Sequence, residues 1–196
     1  MNNDLDRRVL LGAAGFAGLA AVAAGRAGAG PLAPPAGAVA SSGKTLSDVE
    51  PRVAINATNT PGNATSVYRI TQGGSYYLTG NVVFPTGKSA IEISASNVVI
   101  DLNGYVLSAL GGVSGVKAVS DTVARTVIRN GTIWNGSGPG IDFAANDSVT
   151  VENVAIESTD GPAIAIGNNG RVSGCTVVGC STTGGEIAVK VSRAGI

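Results

Sequence analysis

The most informative absence in this 196-residue sequence is histidine, which does not occur at all. Histidine is the side chain that most often serves as a general base or metal ligand near neutral pH. Its absence excludes Ser-His-Asp hydrolases, Cys-His enzymes and zinc sites ligated by histidine. Carboxylates and lysines are the residue types that remain for any chemistry.

Charge is scarce as well. Only 13% of the residues are charged, and 13 basic residues balance 13 acidic ones. A neutral chain lacks the basic patch by which proteins bind nucleic acid or an acidic membrane surface. We therefore expect neither of these as a partner.

What the sequence does contain, from Ala90 onward, is a repeated pattern: an apolar residue, any residue, an apolar or small residue, then a polar turn. The repeats begin 25, 25, 23 and 23 positions apart. Such a period is typical of a solenoid, in which each repeat buries its apolar face only against its neighbours. The five copies are Ile91-Glu92-Ile93, Val116-Lys117-Ala118, Ile141-Asp142-Phe143, Ile164-Ala165-Ile166 and Ile187-Ala188-Val189.

Each repeat predicts two further strands. The second strands are Val98-Val99-Ile100, Thr126-Val127-Ile128, Val149-Thr150-Val151 and Gly170-Arg171-Val172. They are followed by the turn residues Asn103, Asn130, Asn153 and Gly174, and then by the aliphatic residues Val106, Ile133, Ile156 and Val177. Three short strands in about 23 residues leave no room for a helix. The pattern predicts an all-β solenoid of about four to five coils.

Alternation along a strand predicts which side chains face outward. Two outward columns alternate in sign: Glu92, Lys117 and Asp142 on the first strands, and Asp101, Arg129 and Glu152 on the second strands. The second column requires a one-residue insertion at Leu102. Coils stack about 4.8 Å apart, and like charges at that distance repel, so alternation is what stacking predicts. The asparagines of the turns are predicted to bond amide to amide along the axis.

These repeats, together with the entry segment Tyr68–Asn81 and the run Asn97–Gly104, resemble bacterial secreted right-handed parallel β-helix proteins, of the pectate-lyase-like superfamily. The resemblance covers Glu50 to Ile196. It implies a right-handed parallel β-helix and export. Tyr68 to Phe84 is predicted to form two strands around Gly73-Gly74 that cap the N-terminal end of the solenoid.

Residues 1–40 are predicted to be a twin-arginine signal peptide and linker, 41–66 an irregular lead-in, and 67–196 the capped β-helix. Arg7 and Arg8 precede the uncharged stretch Val9 to Gly25, which is shorter than the ~20 residues of a spanning helix. Of two small-residue cleavage sites we prefer the one ending at Ala40. Export would place the mature chain in the periplasm, on the cell surface or in the medium, without membrane contact.

The resemblance also suggests a site. The polygalacturonase type needs a histidine motif, which is absent. The pectate-lyase type holds calcium with acidic groups and uses a basic residue to remove a proton beside a uronate carboxylate. Glu92, Asp142 and Lys117 have the residue types for this. The alternative is that they form an ordinary solvated surface, a column that would continue with Ala165 and Ala188.

Two aromatic residues are the other candidates for binding. Trp134 is predicted to lie outward beside the turn Gly136–Pro139, and Tyr105 to lie nearby one coil earlier. Exposed aromatic rings stack on sugars, although they also cover turns. Cys175 aligns with the inward Val154, which predicts a small buried side chain. A disulfide with Cys180 is the alternative that export permits.

The last repeat stops soon after Glu186 with no polar cap. We expect truncation of a longer β-helix, with end-to-end self-association of two copies as the alternative. The sequence as a whole predicts an exported β-helix of non-catalytic role, in carbohydrate binding or surface display. Its binding residues would come from Trp134, Tyr105, Glu92, Lys117 and Asp142, with no cofactor. The rival hypothesis is a calcium-dependent uronate lyase.

Overall fold

The computed structural model describes residues 50–134, 137–157, 159–180 and 189–191. These ranges contain strands and turns but no helix, and so no helix with the length and apolarity of a membrane span. The strands are β1 (Val53–Ile55), β2 (Ser66–Ile70), β3 (Gly74–Leu78), β4 (Val82–Pro85), β5 (Ser89–Ile93), β6 (Val98–Asp101), β7 (Val106–Leu110), β8 (Val116–Ala118), β9 (Thr126–Trp134), β10 (Ile141–Phe143), β11 (Val149–Glu157), β12 (Ile164–Ile166), β13 (Arg171–Ser173), β14 (Thr176–Val178) and β15 (Val189–Val191).

The strands form two parallel sheets, and this confirms the predicted fold class. One sheet has six strands in the order β15-β12-β10-β8-β5-β2. The other has nine strands along the path β1-β3-β6-β9-β11-β13, with β4, β7 and β14 beside it. One coil is a strand of the six-stranded sheet followed by two strands of the nine-stranded sheet, which merge into one long strand in β9 and β11. The six stacked strands indicate about six coils, slightly more than predicted.

The extra coil comes from the segment predicted as a cap. In it, β2, β3 and β4 pair in parallel with β5, β6 and β7, so the segment is itself the first coil. It joins the stack because Ile70, Leu78 and Phe84 are buried in the same interior as the repeats. Within the predicted lead-in, β1 pairs with β3 and adds one more strand above it.

Two predicted registers differ from the structure. Val189 pairs with Ile164, whereas the sequence pattern had aligned it with Ile166. A shift of two residues leaves every side chain on its predicted face, so the apolar pattern does not detect it. The chain between β6 and β7 has two more residues than the matching part of β9, so Leu107, not Val106, pairs with Ile133.

The interior is a stack of aliphatic and aromatic side chains without access to water. Phe84, Phe143 and Ile128 are fully buried, as are most of the inward positions between them. Each such side chain contributes about 1.5–3 kcal/mol by leaving water. Because each coil buries its residues against the next, the core is continuous along the axis.

Backbone turns with positive φ also repeat from coil to coil. One column precedes the strands of the nine-stranded sheet, at Asn97, Arg125, Ser148 and Asn169. A second lies at Asn103 and Gly174, after β6 and β13, and at Asn130 and Asn153, within the long strands β9 and β11. The side-chain amide of Asn103 donates to Leu78 O at 3.3 Å, and the side-chain amide of Asn130 donates to Asp101 Oδ1 at 3.2 Å. These bonds differ from the predicted amide ladder; what the asparagines share is tolerance of the left-handed conformation.

The turn at Ser148 provides a test of this constraint. Its φ of 57° is costly for a β-branched residue, so Ser148→Val should lower the free energy of unfolding by about 1 kcal/mol. Thr150→Val places the same residue in strand β11 and should change it by less than about 0.5 kcal/mol. Urea unfolding of both variants measures the difference; equal effects would contradict the assigned turn.

Candidate functional site

The first predicted column lies on the outer face of the six-stranded sheet. Strand register extends it to six residues, in the order Arg69, Glu92, Lys117, Asp142, Ala165 and Lys190. Lys190 takes the position that the sequence pattern had given to Ala188. The basic and acidic members alternate except at Ala165, as expected for neighbours about 4.8 Å apart.

Glu92 is the most constrained member of this column. Its side chain points outward from the sheet, yet only 2% of the residue is exposed. Glu92 Oε1 lies 3.4 Å from Lys117 Nζ, and Thr65 Oγ1 donates to Glu92 Oε2 at 3.1 Å. The carboxylate is therefore committed to two partners within the fold, which differs from the solvated surface that alternation predicted.

The two carboxylates of the column do not share a site. Glu92 and Asp142 both pair with Lys117, on opposite sides, so two strand spacings of about 9.6 Å separate them. Calcium needs its oxygen ligands at about 2.3–2.6 Å, and the strand that carries Lys117 lies between these two carboxylates. Among the described residues, no group of three or more acidic, cysteine or histidine side chains is arranged to hold a metal ion.

The second predicted column has the register that the alternating charges indicated. Asp101 pairs with Arg129, and Arg129 with Glu152. Asp101 Oδ2 lies 3.3 Å from Arg129 Nε, and Asp101 Oδ1 accepts the backbone N–H of Asn103 at 2.9 Å. These contacts hold the turn between β6 and β7 in place.

One partner of this network was missed by sequence reasoning. Arg52, just before β1, lies 4.8 Å above the ring of Tyr77 and 3.8 Å from Asp101 Oδ2. Its guanidinium also hydrogen-bonds Glu50, which lowers the pKa of that carboxyl group and raises the pKa of Arg52. No local motif predicts the contacts of Arg52 with Tyr77 and Asp101, because these two residues come from coils that follow it.

A different surface carries the aromatic candidate. Each coil has three strands, and the outward residues of the third strand of each coil form this surface. We call it the third face: the outward residues of β4, β7, β14 and the C-terminal thirds of β9 and β11. Its central column is Val83, Ser108, Trp134, Glu157 and Val178. Trp134 is 51% exposed, and Val83 and Val178 are similarly open to solvent. Among the described residues of this face, Glu157 is the only charged one.

Tyr105 does not belong to the same column. It precedes β7 at the turn, is half-buried and packs against the hydrophobic core. At the other end of the third face, Val83 and Pro85 line an open cleft of about 520 Å³. Lys88 also lines this cleft, and its amino group donates to Asn63 O at 2.7 Å.

The two cysteines are free thiols. Both are half-buried and pack against the core, and Cys175 Sγ donates to Ser173 O at 3.4 Å. The first of the two alternatives, a small buried side chain, therefore describes Cys175 better than a disulfide. Arg7 and Arg8, the predicted signal residues, lie outside the described residues.

A double-mutant cycle can measure the interaction energy between Glu92 and Lys117. Lys117→Met leaves a buried carboxylate without its cation and should cost about 2 kcal/mol, less than a fully buried pair because Lys117 is partly exposed. Glu92→Gln in the same chain should recover part of that loss, with a coupling of about 1–2 kcal/mol. Chemical unfolding of the four proteins gives the coupling.

Asp142→Asn is the control for this cycle. The structure gives the carboxylate of Asp142 no hydrogen bond or ion pair among the described residues, so its loss should cost less than about 0.5 kcal/mol. A coupling near zero between Glu92 and Lys117 would show that the ion pair does not form in solution.

Comparison with known proteins agrees with this geometry. A family model described as the right handed beta helix region matches residues 54–194. No curated protein matches the chain, and no solved structure does. Because the match spans most of the sequence and the coils are parallel throughout, the chain belongs to the right-handed beta helix family.

Proposed function

We propose that this chain is an exported, non-catalytic β-helix that binds carbohydrate on its third face. The observation that carries the proposal is the exposed indole of Trp134 on a face with a single charged residue. Aromatic rings that remain half-exposed on a flat surface are suited to stacking against the apolar side of a sugar ring.

The neighbours of Trp134 support this use. Ser108 lies beside it in its own column, and the adjacent outward column contains Val106, Thr132, Ala155 and Thr176. All of these side chains are smaller than the indole, so the indole stands above them, and three of the five carry hydroxyl groups that donate and accept hydrogen bonds. Tyr105 remains a predicted second contact at the edge of this face.

The uronate lyase is the weaker alternative. It would need Glu92 and Asp142 as ligands of one calcium ion and Lys117 as a free base. Strand register puts Lys117 between the two carboxylates, and Glu92 is already bound to Lys117 and Thr65. This geometry favours binding or surface display over cleavage of uronate polymers.

Trp134 is the only tryptophan in the sequence, so intrinsic fluorescence reports directly on the proposed site. We expect a shift in its emission on titration with neutral oligosaccharides. Trp134→Ala should lower the affinity at least about tenfold, as removal of a stacking aromatic ring does. Calorimetry measures the affinity of this variant, because the variant has no tryptophan fluorescence.

Val119→Ala is the matched control, since Val119 is also an exposed apolar residue but lies outside the third face. Its affinity should equal that of the wild type. Calcium-dependent formation of unsaturated ends from pectate or alginate, abolished by a chelator, would overturn the proposal in favour of the lyase. Folded protein that neither binds nor cleaves any glycan of the panel would leave a structural role in surface display.

Export by the twin-arginine route is the second part of the proposal. It rests on Arg7 and Arg8 directly before the uncharged stretch that ends at Gly25. Replacing both with lysine keeps the positive charge, so a general secretory signal would still function. We expect the double variant to remain in the cytoplasm as the uncleaved precursor, as seen by immunoblotting of cell fractions. Unchanged export would argue against this route.

A further inference from the structure

The charge on the third face narrows the class of ligand. Glu157 is adjacent to Trp134 in strand register, and both side chains are exposed and point outward. The structure gives the Glu157 carboxylate no hydrogen bond or ion pair among the described residues. A negative charge beside the open face of an indole is an arrangement that attracts a cation.

The residues around Trp134 and Glu157 keep the electrostatic potential of this region negative. The outward positions of β4, β7, β14 and the C-terminal thirds of β9 and β11 include no lysine or arginine. Asp160, exposed in the turn after β11, adds a second negative charge close by. Lys88, in the cleft next to Val83, belongs to the first two coils and lies well away from Glu157 along the axis.

We infer that Trp134 and Glu157 together bind a protonated amino group, and that the preferred ligand is a glycan containing free amino sugars. This inference rests on the proposed carbohydrate function and specifies its ligand. The indole stacks on the sugar ring and attracts its ammonium group, while the carboxylate of Glu157 forms an ion pair with the same group.

A basic peptide offers the same charge, but the third face fits it less well. Peptide ligands usually add a strand to a sheet edge or fill a groove with side chains. Here the strands around Trp134 are paired on both sides, by β7 and β11, and the surface between the columns is flat and lined by small residues. A flat, hydroxyl-bearing surface with one raised ring suits a polymer of rings.

The test compares two hexasaccharides of the same length, one of glucosamine and one of N-acetylglucosamine. Only the first carries ammonium groups at mildly acidic pH. We expect the full-length protein to bind it about three- to tenfold more tightly at low salt, by Trp134 fluorescence. The preference should fall as salt rises, and as the pH rises until the amine is neutral.

Glu157→Gln should remove most of the preference, because only the indole and Asp160 then attract the ammonium group, and should leave the affinity for the N-acetylated hexasaccharide unchanged. Asp147→Asn is the matched control, because it removes an exposed carboxylate from the turn at the start of β11, on the same coil. It should preserve the preference. Thermal unfolding of both variants checks that they are folded.

The remaining outcomes are distinguishable. Equal affinity for the two hexasaccharides would overturn the inference and leave carbohydrate binding intact. A Glu157→Gln variant that weakens both equally would overturn it in favour of a structural role for Glu157. An absence of binding to either sugar would overturn the inference, and an absence of binding to every glycan of the panel would also overturn the proposed function. Tighter binding of hexalysine than of the amino sugar would indicate a basic peptide as the partner.

Discussion

The parallel pairing of each strand with its equivalent in the next coil is the constraint on which this structure depends. At a spacing of about 4.8 Å, the nearest neighbour of a side chain is the residue at the same position one coil away. Apolar residues therefore stack into one core, positive-φ turns stack into two columns, and charges alternate in sign. A substitution at one position therefore affects the equivalent residues of the two adjacent coils more than its neighbours in sequence.

The same constraint explains how much of the fold could be predicted. The period near 23–25 residues and the inward apolar columns determine a solenoid of parallel strands, because only stacking buries those columns. The register between strands of successive coils was harder to predict. Alignment of Val189 was wrong by two residues because such a shift changes no face, and the insertion after Asp101 was underestimated because Val106 and Leu107 are both apolar.

The candidate site shows a second limit of sequence reasoning. Alternation predicts that Glu92 points outward, which is correct, but direction does not determine exposure. Thr65, 27 positions earlier, and Lys117 enclose the carboxylate, and no local pattern indicates the contact with Thr65. Trp134 was identified as a candidate because an outward tryptophan is conspicuous. Glu157 was not, because its relation to Trp134 exists only through the register of β9 and β11.

Stacking also separates charges that stabilise the fold from charges that remain available to a ligand. Where acidic and basic residues meet in register, as Glu92 with Lys117 and Asp101 with Arg129, each satisfies the other across coils. Glu157 has Trp134 on one side and Val178 on the other, so the stack gives its charge no counterpart. An exposed carboxylate between two apolar neighbours adds little to stability, because water solvates it equally well before and after folding. Its charge therefore remains free to attract a cationic ligand, beside the one aromatic ring of the third face.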